Sequence, residues 1–310
     1  MSQADKKLPL IVIVGPTAVG KTELSIRLAM QMNGEIVSAD SRQIYKKMNI
    51  GTAKPTPEEL SMVPHHLIDV VNPEEIFSLA LFQQSAYKII DDILQRGKLP
   101  FLVGGTGQYV RAVVQGWKPP ELLPDLELRK KLEKDAVSFG GDFLYEKLCE
   151  KDPEAASIID PRNVRRVIRA LEVIEQTKQP FSVQRAKIEP KYEFTQIGLI
   201  RPRQELYQRI DLRIDQMIAN GLLQEVEKIL ADGCPVDSPS LSAIGYREMI
   251  AVIQRKYELD EAIILMKRAT RNYVRRQANW FSMNDPNIKW FEMNIDTFDQ
   301  VLAFCRDRIR

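Results

Sequence analysis

The sequence predicts an α/β protein in which a parallel sheet, flanked by helices, carries a helical insertion. In the first third of the chain, short apolar runs alternate with amphipathic segments, as in a parallel sheet wrapped by helices. Residues from about 118 to 192 show only helical patterns. Hydrophobic residues make up 44% and charged residues 28% of the 310 residues, a balance that excludes a disordered or collagen-like chain.

Four apolar runs are predicted to form strands, over residues 10–14, 35–39, 100–103 and 195–200. Gly15 and Asp40 follow the first two runs directly, and Thr106 lies just beyond the third. In sheets of this kind, ligands bind beyond the carboxyl ends of the strands. We therefore expect these three residues to face one crevice.

Apolar residues at helical spacing predict the helices of the chain. They cover residues 79–94, 126–139, 142–150, 162–177, 203–220 and 222–231. The composition changes near Trp117, and no convincing strand follows until residue 195. We therefore predict a core formed by residues 1–117 and 193–310, with a helical insertion domain over residues 118–192.

Composition excludes several classes of protein. Cys149, Cys234 and Cys305 are far apart and odd in number, which argues against a disulfide framework. The only histidines, His65 and His66, are adjacent, so they cannot supply the spaced pair of a zinc site, and we place them in a loop. No apolar run approaches the roughly 18 residues of a membrane helix, and the start of the chain lacks a secretory signal. We expect a cytoplasmic protein with no membrane partner.

A phosphate-binding motif joins the first predicted strand to a helix. It matches the pattern GxxxxGK[ST] and is formed by Gly15, Pro16, Thr17, Ala18, Val19, Gly20, Lys21 and Thr22. Glycines let backbone N–H groups converge on phosphate oxygens, and the helix N-terminus adds positive potential. Lys21 is expected to reach across the phosphates, and the Thr22 hydroxyl to bind Mg²⁺. The motif predicts a P-loop and a polyphosphate ligand without specifying which one; a chance glycine turn is the alternative.

The carboxylate that usually holds the metal of a P-loop kinase or NTPase is missing from its expected place. The predicted strand over residues 100–103 ends in Gly104 and offers no acid, and Asp69 is a poor substitute. Asp40 is the best-placed carboxylate. Its position is equally compatible with a base or metal ligand beside a bound phosphate and with a simple helix cap.

Two basic runs indicate nucleic-acid binding. The first consists of Arg162, Arg165, Arg166 and Arg169, which share one face of a predicted helix. The second, which is interleaved with Tyr273 and Trp280, consists of Lys267, Arg268, Arg271, Arg275 and Arg276. A solvated face normally mixes both signs of charge, whereas these runs do not. Guanidinium groups and aromatic rings suit the backbone and stacked bases of a single strand, although a kinase-like lid explains the first run equally well.

Seven segments carry a resemblance to a known family. They are GPTAVGKT at 15–22, SADSRQIY at 38–45, MNIGTAKP at 48–55, VGGTGQY at 103–109, RRVIRALEV at 165–173, AIGYRE at 243–248 and RRQANWF at 275–281. In these segments, which span nearly the whole chain, the sequence resembles the bacterial tRNA dimethylallyltransferases. The resemblance implies transfer of a dimethylallyl group from dimethylallyl diphosphate to N6 of adenine 37, in tRNAs reading codons that begin with U.

The resemblance also implies roles for individual residues. Asp40 matches the general base, Thr106 a catalytic threonine, and Arg213 an arginine at the leaving group; Lys21 would offset the charge of the departing diphosphate with Mg²⁺. The P-loop would hold the diphosphate rather than ATP. The insertion would grip the anticodon stem-loop, and a monomer is expected.

Further residues match tRNA-contacting positions of the family. They are Asp40, Ser41, Arg42, Gln43, Arg129, Arg165, Arg166, Val167, Ile168, Arg169, Ser242, Ala243, Ile244, Gly245, Tyr246, Arg247, Arg275, Arg276, Gln277, Ala278, Asn279, Trp280, Phe281 and Ser282. Three rival functions remain: a small-molecule kinase, a prenyltransferase acting on free adenine nucleotides, and an RNA-binding protein with a vestigial P-loop.

Overall fold

A six-stranded, fully parallel sheet forms the centre of the fold in a computed structural model that describes residues 7–120, 122, 125–183 and 189–309. The strands are β1 (Leu8–Val14), β2 (Gly34–Ser38), β3 (His65–His66), β4 (Leu99–Gly104), β5 (Tyr192–Ile200) and β6 (Ile288–Glu292). Their spatial order is β3-β2-β4-β1-β5-β6. The predicted α/β fold with a parallel sheet is confirmed.

Strand β1 occupies the middle of the sheet because both of its faces are apolar. Every residue from Leu10 to Val14 is fully buried, which is the pattern of a strand covered by helices on both sides. Ile13 lies opposite Val103 of β4 and Ile197 of β5. The carboxyl ends of β1, β2 and β4 therefore lie side by side at one edge of the sheet.

Thirteen α-helices are present within the described residues. They are α1 (Lys21–Gln31), α2 (Pro57–Met62), α3 (Leu79–Gln95), α4 (Gly107–Val114), α5 (Leu126–Phe139), α6 (Gly141–Lys151), α7 (Pro153–Ile158), α8 (Val164–Thr177), α9 (Arg203–Ala219), α10 (Leu222–Ala231), α11 (Tyr246–Ile253), α12 (Leu259–Ala278) and α13 (Thr297–Arg308). A 3₁₀ helix covers Pro239–Ser242. None of these helices, over the part of the chain described, combines the length and apolar character needed to cross a membrane.

The chain divides into two compact units. As far as their residues are described, the first comprises Met1–Phe77, Phe82–Val114 and Pro190–Arg310, and the second Ser78–Leu81 and Gln115–Glu189. The sheet belongs to the first unit. The second contains α5 to α8, which enclose their own apolar core around Leu144, Leu148 and Val167. Its role in gripping an anticodon stem-loop stays a prediction.

The structure corrects three sequence-based expectations. His65 and His66 do not lie in a loop; they pair with Ile36 and Val37 as strand β3, which is too short to give a sequence pattern. Strand β6 was not predicted, because Lys289 interrupts its apolar residues and they form no continuous run. Arg162 precedes α8 instead of lying on its face, because the Asn163 side chain caps that helix by accepting from the Arg166 N–H.

Candidate active site

The loop between β1 and α1 has a backbone that only glycine adopts readily at two positions. Gly15 has φ +153° and Gly20 has φ +113°, both in the region of positive φ that strains other residues. A Cβ atom on Gly15 would lie 2.8 Å from the Leu199 carbonyl oxygen of the neighbouring strand β5. The first and last glycines of the motif therefore allow the loop to turn closely against the sheet.

Several backbone N–H groups at the end of this loop have no partner among the described residues. Arg209 and Arg201 donate to the carbonyl oxygens of Ala18 and Val19, at 2.8 and 2.9 Å, so these two loop oxygens are satisfied by cationic side chains. Over the described ranges of the chain, no acceptor meets the amide N–H groups of four loop and helix residues: Ala18, Gly20, Lys21 and Thr22. Unpaired N–H groups at a helix N-terminus form an anion-binding site.

The Lys21 ammonium group folds back over the loop. Its Nζ donates to the carbonyl oxygens of Gly15, at 3.0 Å, and Pro16, at 2.9 Å. Burial lowers the pKa of Lys21 to about 8; Asp40 opposes this shift, and Arg213 adds to it. A buried ammonium with a depressed pKa gains by meeting an anion, because the anion restores the charged form.

Two arginines of α9 add positive charge to this cluster. Arg209 is held by its bond to the loop, whereas no described residue forms a hydrogen bond or ion pair with the Arg213 guanidinium. Burial, followed by repulsion from Arg209, lowers the pKa of Arg213, and Glu59 offsets part of that effect. Lys21 and Arg213 are half-buried and form no ion pair with a described carboxylate, which indicates that this site is built for a strongly anionic ligand.

Asp40 and Thr106 are brought together by the pairing of β2 and β4. The Thr106 N–H donates to the Ala39 carbonyl at 3.3 Å, and the Thr106 Oγ1 accepts from the Ser41 N–H at 3.1 Å. Gly104 permits this approach, since a Cβ there would lie 2.2 Å from the Ala39 oxygen. The predicted meeting of these two strand ends is therefore found.

Only one of the two oxygens of the Asp40 carboxylate has a hydrogen-bond partner among the described residues. Its Oδ1 accepts from the Arg42 N–H at 2.9 Å, so it closes a turn and does not cap a helix. Its Oδ2 has no hydrogen-bond partner among the residues described here. One oxygen is thus fixed by the local backbone, while the other remains able to accept a proton or bind a cation.

Tyr273 of α12 belongs to this site, although the sequence assigned it no role there beyond its place in a basic run. Burial raises the pKa of Tyr273 to about 12, and the nearby Asp40 adds to the rise; a hydrogen bond with Thr106 opposes it. The signal that could have identified Tyr273 is its spacing: it lies one helical turn before Gln277, whose side chain reaches the phosphate loop.

The predicted tRNA-contacting residues of the first unit differ in burial, and several of them, such as Arg42, are half-buried. Arg42 draws two of their segments together, because its guanidinium donates to the Pro239 and Ser240 carbonyls and to Ser242 Oγ. The side chains of one group are buried: Ala243, Tyr246, Gln277 and Phe281. The other group, which includes Arg247, Arg275 and Arg276, is exposed. The exposed group presents its side chains most fully to solvent.

In the second unit, a buried carboxylate organises the predicted tRNA-contacting arginines. Glu172 is fully buried and accepts from Arg129 at 2.9 Å through each of its oxygens, and from Arg169 at 2.7 Å. Burial alone would raise the pKa of Glu172, but these two guanidinium groups hold it below its usual value. Val167 and Ile168 pack into the core of this unit, whereas Arg165 is exposed.

The second basic run is less uniformly positive than its sequence suggests. Lys267 forms an ion pair with Asp215 at 2.6 Å, and Arg271 pairs with Asp211. Both acids come from α9, which packs against α12. The absence of an acid within the run therefore did not predict its net charge in the folded protein, because acids distant in sequence neutralise two of its five cations.

Comparison with known proteins places the chain in a family. The family model described as IPP transferase matches residues 43–284, and one described as Isopentenyl transferase matches residues 8–71. The tRNA dimethylallyltransferase of Roseiflexus sp. (strain RS-1) is 55% identical over 88% of this chain and 90% of its own length. That of Halothermothrix orenii is 45% identical over 95% of this chain and 90% of its own length.

Solved structures agree with these relatives. The tRNA isopentenylpyrophosphate transferase of Bacillus halodurans is 44% identical and superposes with a TM-score of 0.73, over 98% of this chain and 97% of the other. A eukaryotic dimethylallyltransferase acting on tRNA is 29% identical and gives a TM-score of 0.78, over 97% of this chain and 80% of its own. The sequence relatives and the fold converge on one answer, and the chain belongs to the tRNA dimethylallyltransferase family.

Proposed function

We propose that this protein transfers the dimethylallyl group of dimethylallyl diphosphate to N6 of adenine 37 in tRNAs reading codons that begin with U, and releases diphosphate. The observation that carries the proposal is that an anion-binding loop after β1 and a carboxylate with one unpartnered oxygen after β2 lie at the same edge of the sheet, on either side of β4. The first suits a diphosphate leaving group, and the second an amine acceptor.

The donor diphosphate would lie against the four unpaired amides of the loop. As the bond from C1 of the dimethylallyl group to oxygen breaks, negative charge develops on the diphosphate. Lys21, Arg213 and the amides would stabilise that charge, and losing one such donor typically costs about 10²–10³ in rate. The allylic carbon shares its own developing positive charge with C3, so the demand on the protein is greatest at the leaving group.

We further propose that Mg²⁺ assists from the Thr22 hydroxyl. No described residue hydrogen-bonds to the Thr22 Oγ1, and Mg²⁺ characteristically takes few protein oxygens, with substrate phosphates and water completing its shell. The donor set therefore fits. The ion would neutralise diphosphate charge, and the unpartnered Oδ2 of Asp40 could serve as a further oxygen ligand.

Asp40 is proposed to take the proton from the acceptor. The exocyclic amine of adenine is a poor nucleophile because its lone pair is delocalised into the ring. As N6 bonds to C1, one N6 proton passes to Oδ2 of Asp40, while Oδ1 stays bound to the Arg42 N–H. General-base assistance of this kind contributes about 10²–10⁴-fold. The adenine must first leave its stack, at a cost of a few kcal/mol.

Exposed arginines would offset that cost by binding the tRNA backbone. Arg165 in the second unit and Arg275 and Arg276 in the first are exposed and suited to phosphate contact.

We also propose that the protein acts as a monomer in the cytoplasm. Size-exclusion chromatography with light scattering tests the first of these statements, and fractionation of cells the second.

Mass spectrometry of tRNA after incubation with the purified protein and dimethylallyl diphosphate tests the proposal. We expect one added dimethylallyl unit on the fragment containing adenine 37, and none when that position carries guanine. Exchanging one substrate at a time in this assay tests the rival functions of a small-molecule kinase and of a prenyltransferase acting on free adenine nucleotides. ATP replaces the donor to detect phosphoryl transfer, and AMP replaces tRNA as acceptor. Phosphoryl transfer without prenyl transfer, or a preference for AMP, would overturn the proposal.

A further inference from the structure

The carboxyl end of α12 is docked onto the active site through one amide side chain. Gln277 is only 4% exposed. Its Oε1 accepts from the Thr17 N–H of the phosphate loop at 2.9 Å, and its Nε2 donates to the Gly105 carbonyl at 3.0 Å. Gly105 directly precedes Thr106, so this side chain joins the loop to the turn that carries the threonine predicted to be catalytic.

The surrounding backbone is shaped for this contact. A Cβ on Gly105 would lie 2.3 Å from the Gln277 Nε2, and a Cβ on Gly107 would lie 2.2 Å from the Trp280 ring. Arg111 additionally donates to the Trp280 carbonyl. Because Gly105 and Gly107 have no side chains, the end of α12 can pack closely against this turn.

An amide is chemically required at this position. One end of the side chain must accept a hydrogen bond and the other must donate one, and glutamine provides both. Glutamate would offer acceptors only. An apolar residue of the same length would leave the buried Gly105 carbonyl and the partly buried Thr17 N–H without a partner, which is unfavourable.

The same geometry separates Gln277 from its exposed neighbours. Arg275 and Arg276 point to solvent, whereas the Gln277 amide reaches two backbone groups of the active site. The Thr17 N–H is fixed by Gln277, and the amides of Ala18, Gly20, Lys21 and Thr22, which follow it, have no partner among the described residues. Fixing the first part of the loop thus sets the direction of the groups that meet the anion.

We propose that Gln277 is a positioning residue of the donor site and not a tRNA contact. It holds the phosphate loop at a set distance from the turn after β4, so that the free amides and Lys21 meet the diphosphate. The inference rests on the proposed function for the identity of the anion. The contacts themselves concern diphosphate binding, which can be measured without any transfer reaction.

Binding of inorganic diphosphate and of tRNA should be measured separately, by calorimetry and by filter binding, for matched variants. Gln277→Met keeps the length and removes both hydrogen bonds, and we expect its Kd for diphosphate to rise about tenfold. Its Kd for tRNA should stay within about twofold of the parent. The control Arg276→Ala should show the reverse: weaker tRNA binding and unchanged diphosphate binding.

A second variant approaches the same contact from the other side. Gly105→Ala places a Cβ against the Gln277 amide and should also weaken diphosphate binding, without a change in tRNA affinity. Because both changes break one contact, the double variant should be no weaker than the worse single variant. Thermal melting checks folding, and Gly105→Ala carries the test if Gln277→Met does not fold.

Weakened tRNA binding with unchanged diphosphate affinity in Gln277→Met would overturn the inference, as would fully additive effects of the two changes. The outcomes are distinguishable from failure of the proposed function. A protein without prenyl transfer activity could still lose diphosphate affinity on this substitution. A prenyltransferase with intact diphosphate affinity in the variant would refute the role of Gln277 alone.

Discussion

Replacing Lys21 by methionine should abolish most activity while leaving the fold nearly as stable. Burial lowers the pKa of Lys21 from 10.5 to about 8. At 1.36 kcal/mol per pKa unit, keeping this ammonium charged costs the folded state on the order of 3 kcal/mol. Its hydrogen bonds to the Gly15 and Pro16 carbonyls stabilise the folded state by a comparable free energy, since hydrogen bonds to charged groups contribute about 1.5–3 kcal/mol each. The two effects offset each other, so the melting temperature should change little.

Activity and ligand binding should respond quite differently. If the Lys21 ammonium faces the leaving group as proposed, removing it should reduce the rate of transfer by about 10²–10³. A bound diphosphate favours the protonated form of Lys21, which raises the pKa of that lysine in the complex. Diphosphate affinity should therefore be constant below about pH 8 and decrease above it, by up to about tenfold per pH unit. This loss should be absent from Lys21→Met.

Calorimetric titration of inorganic diphosphate from about pH 7 to about pH 9 measures this dependence. The Lys21→Met profile supplies the baseline for ionisation of the ligand itself. Lys289→Met is the matched control, because Lys289 is an exposed lysine of β6, and it should retain the parent profile. If Lys21→Met bound diphosphate within about threefold of the parent at pH 7, or kept its pH dependence, Lys21 would not be the group that meets the leaving group.

Three further predictions concern the acceptor side. Asp40→Asn should lower single-turnover transfer by about 10²–10⁴ with little loss of diphosphate affinity, and near-normal transfer would exclude Asp40 as the base. Glu172→Gln should lower the free energy of unfolding by about 2–3 kcal/mol in denaturant titration and weaken tRNA binding, because Arg129 loses its charged partner; unchanged stability would argue against an organising role. The Kd for tRNA should rise steeply with salt, and Arg275→Ala and Arg276→Ala should each reduce the log–log slope by about 0.7–0.9, whereas a flat dependence in the parent would contradict the basic-face assignment.

Local features of this protein could be read from the sequence because they depend on contiguous residues. The phosphate loop is one, since Gly15 and Gly20 must adopt positive φ and Lys21 must follow directly. The strand ends carrying Asp40 and Thr106 are another, because apolar runs predict strands and parallel strands end at one edge of the sheet. The predicted strands and helices are all present, with ends shifted by up to three residues.

Features that depend on distant partners could not be predicted in this way. The acids that neutralise Lys267 and Arg271 lie on α9, more than fifty residues earlier in the chain. The role of Glu172 as a buried partner of Arg129 likewise requires α5 and α8 to be packed together. The edge strands β3 and β6 exist because they hydrogen-bond to β2 and β5, not because of a pattern of their own.

The sequence alone thus determined the α/β class, the chemistry of the anion-binding loop and the residues that resemble a family of tRNA-modifying enzymes. Tertiary structure decided which charges are paired, which predicted contact residues are buried, and that Gln277 links the loop to the turn before Thr106. The physical reason is the separation along the chain of the residues that interact. Backbone conformation and hydrophobic period are set by near neighbours, whereas burial and ion pairing are set by whichever residues the fold brings into contact.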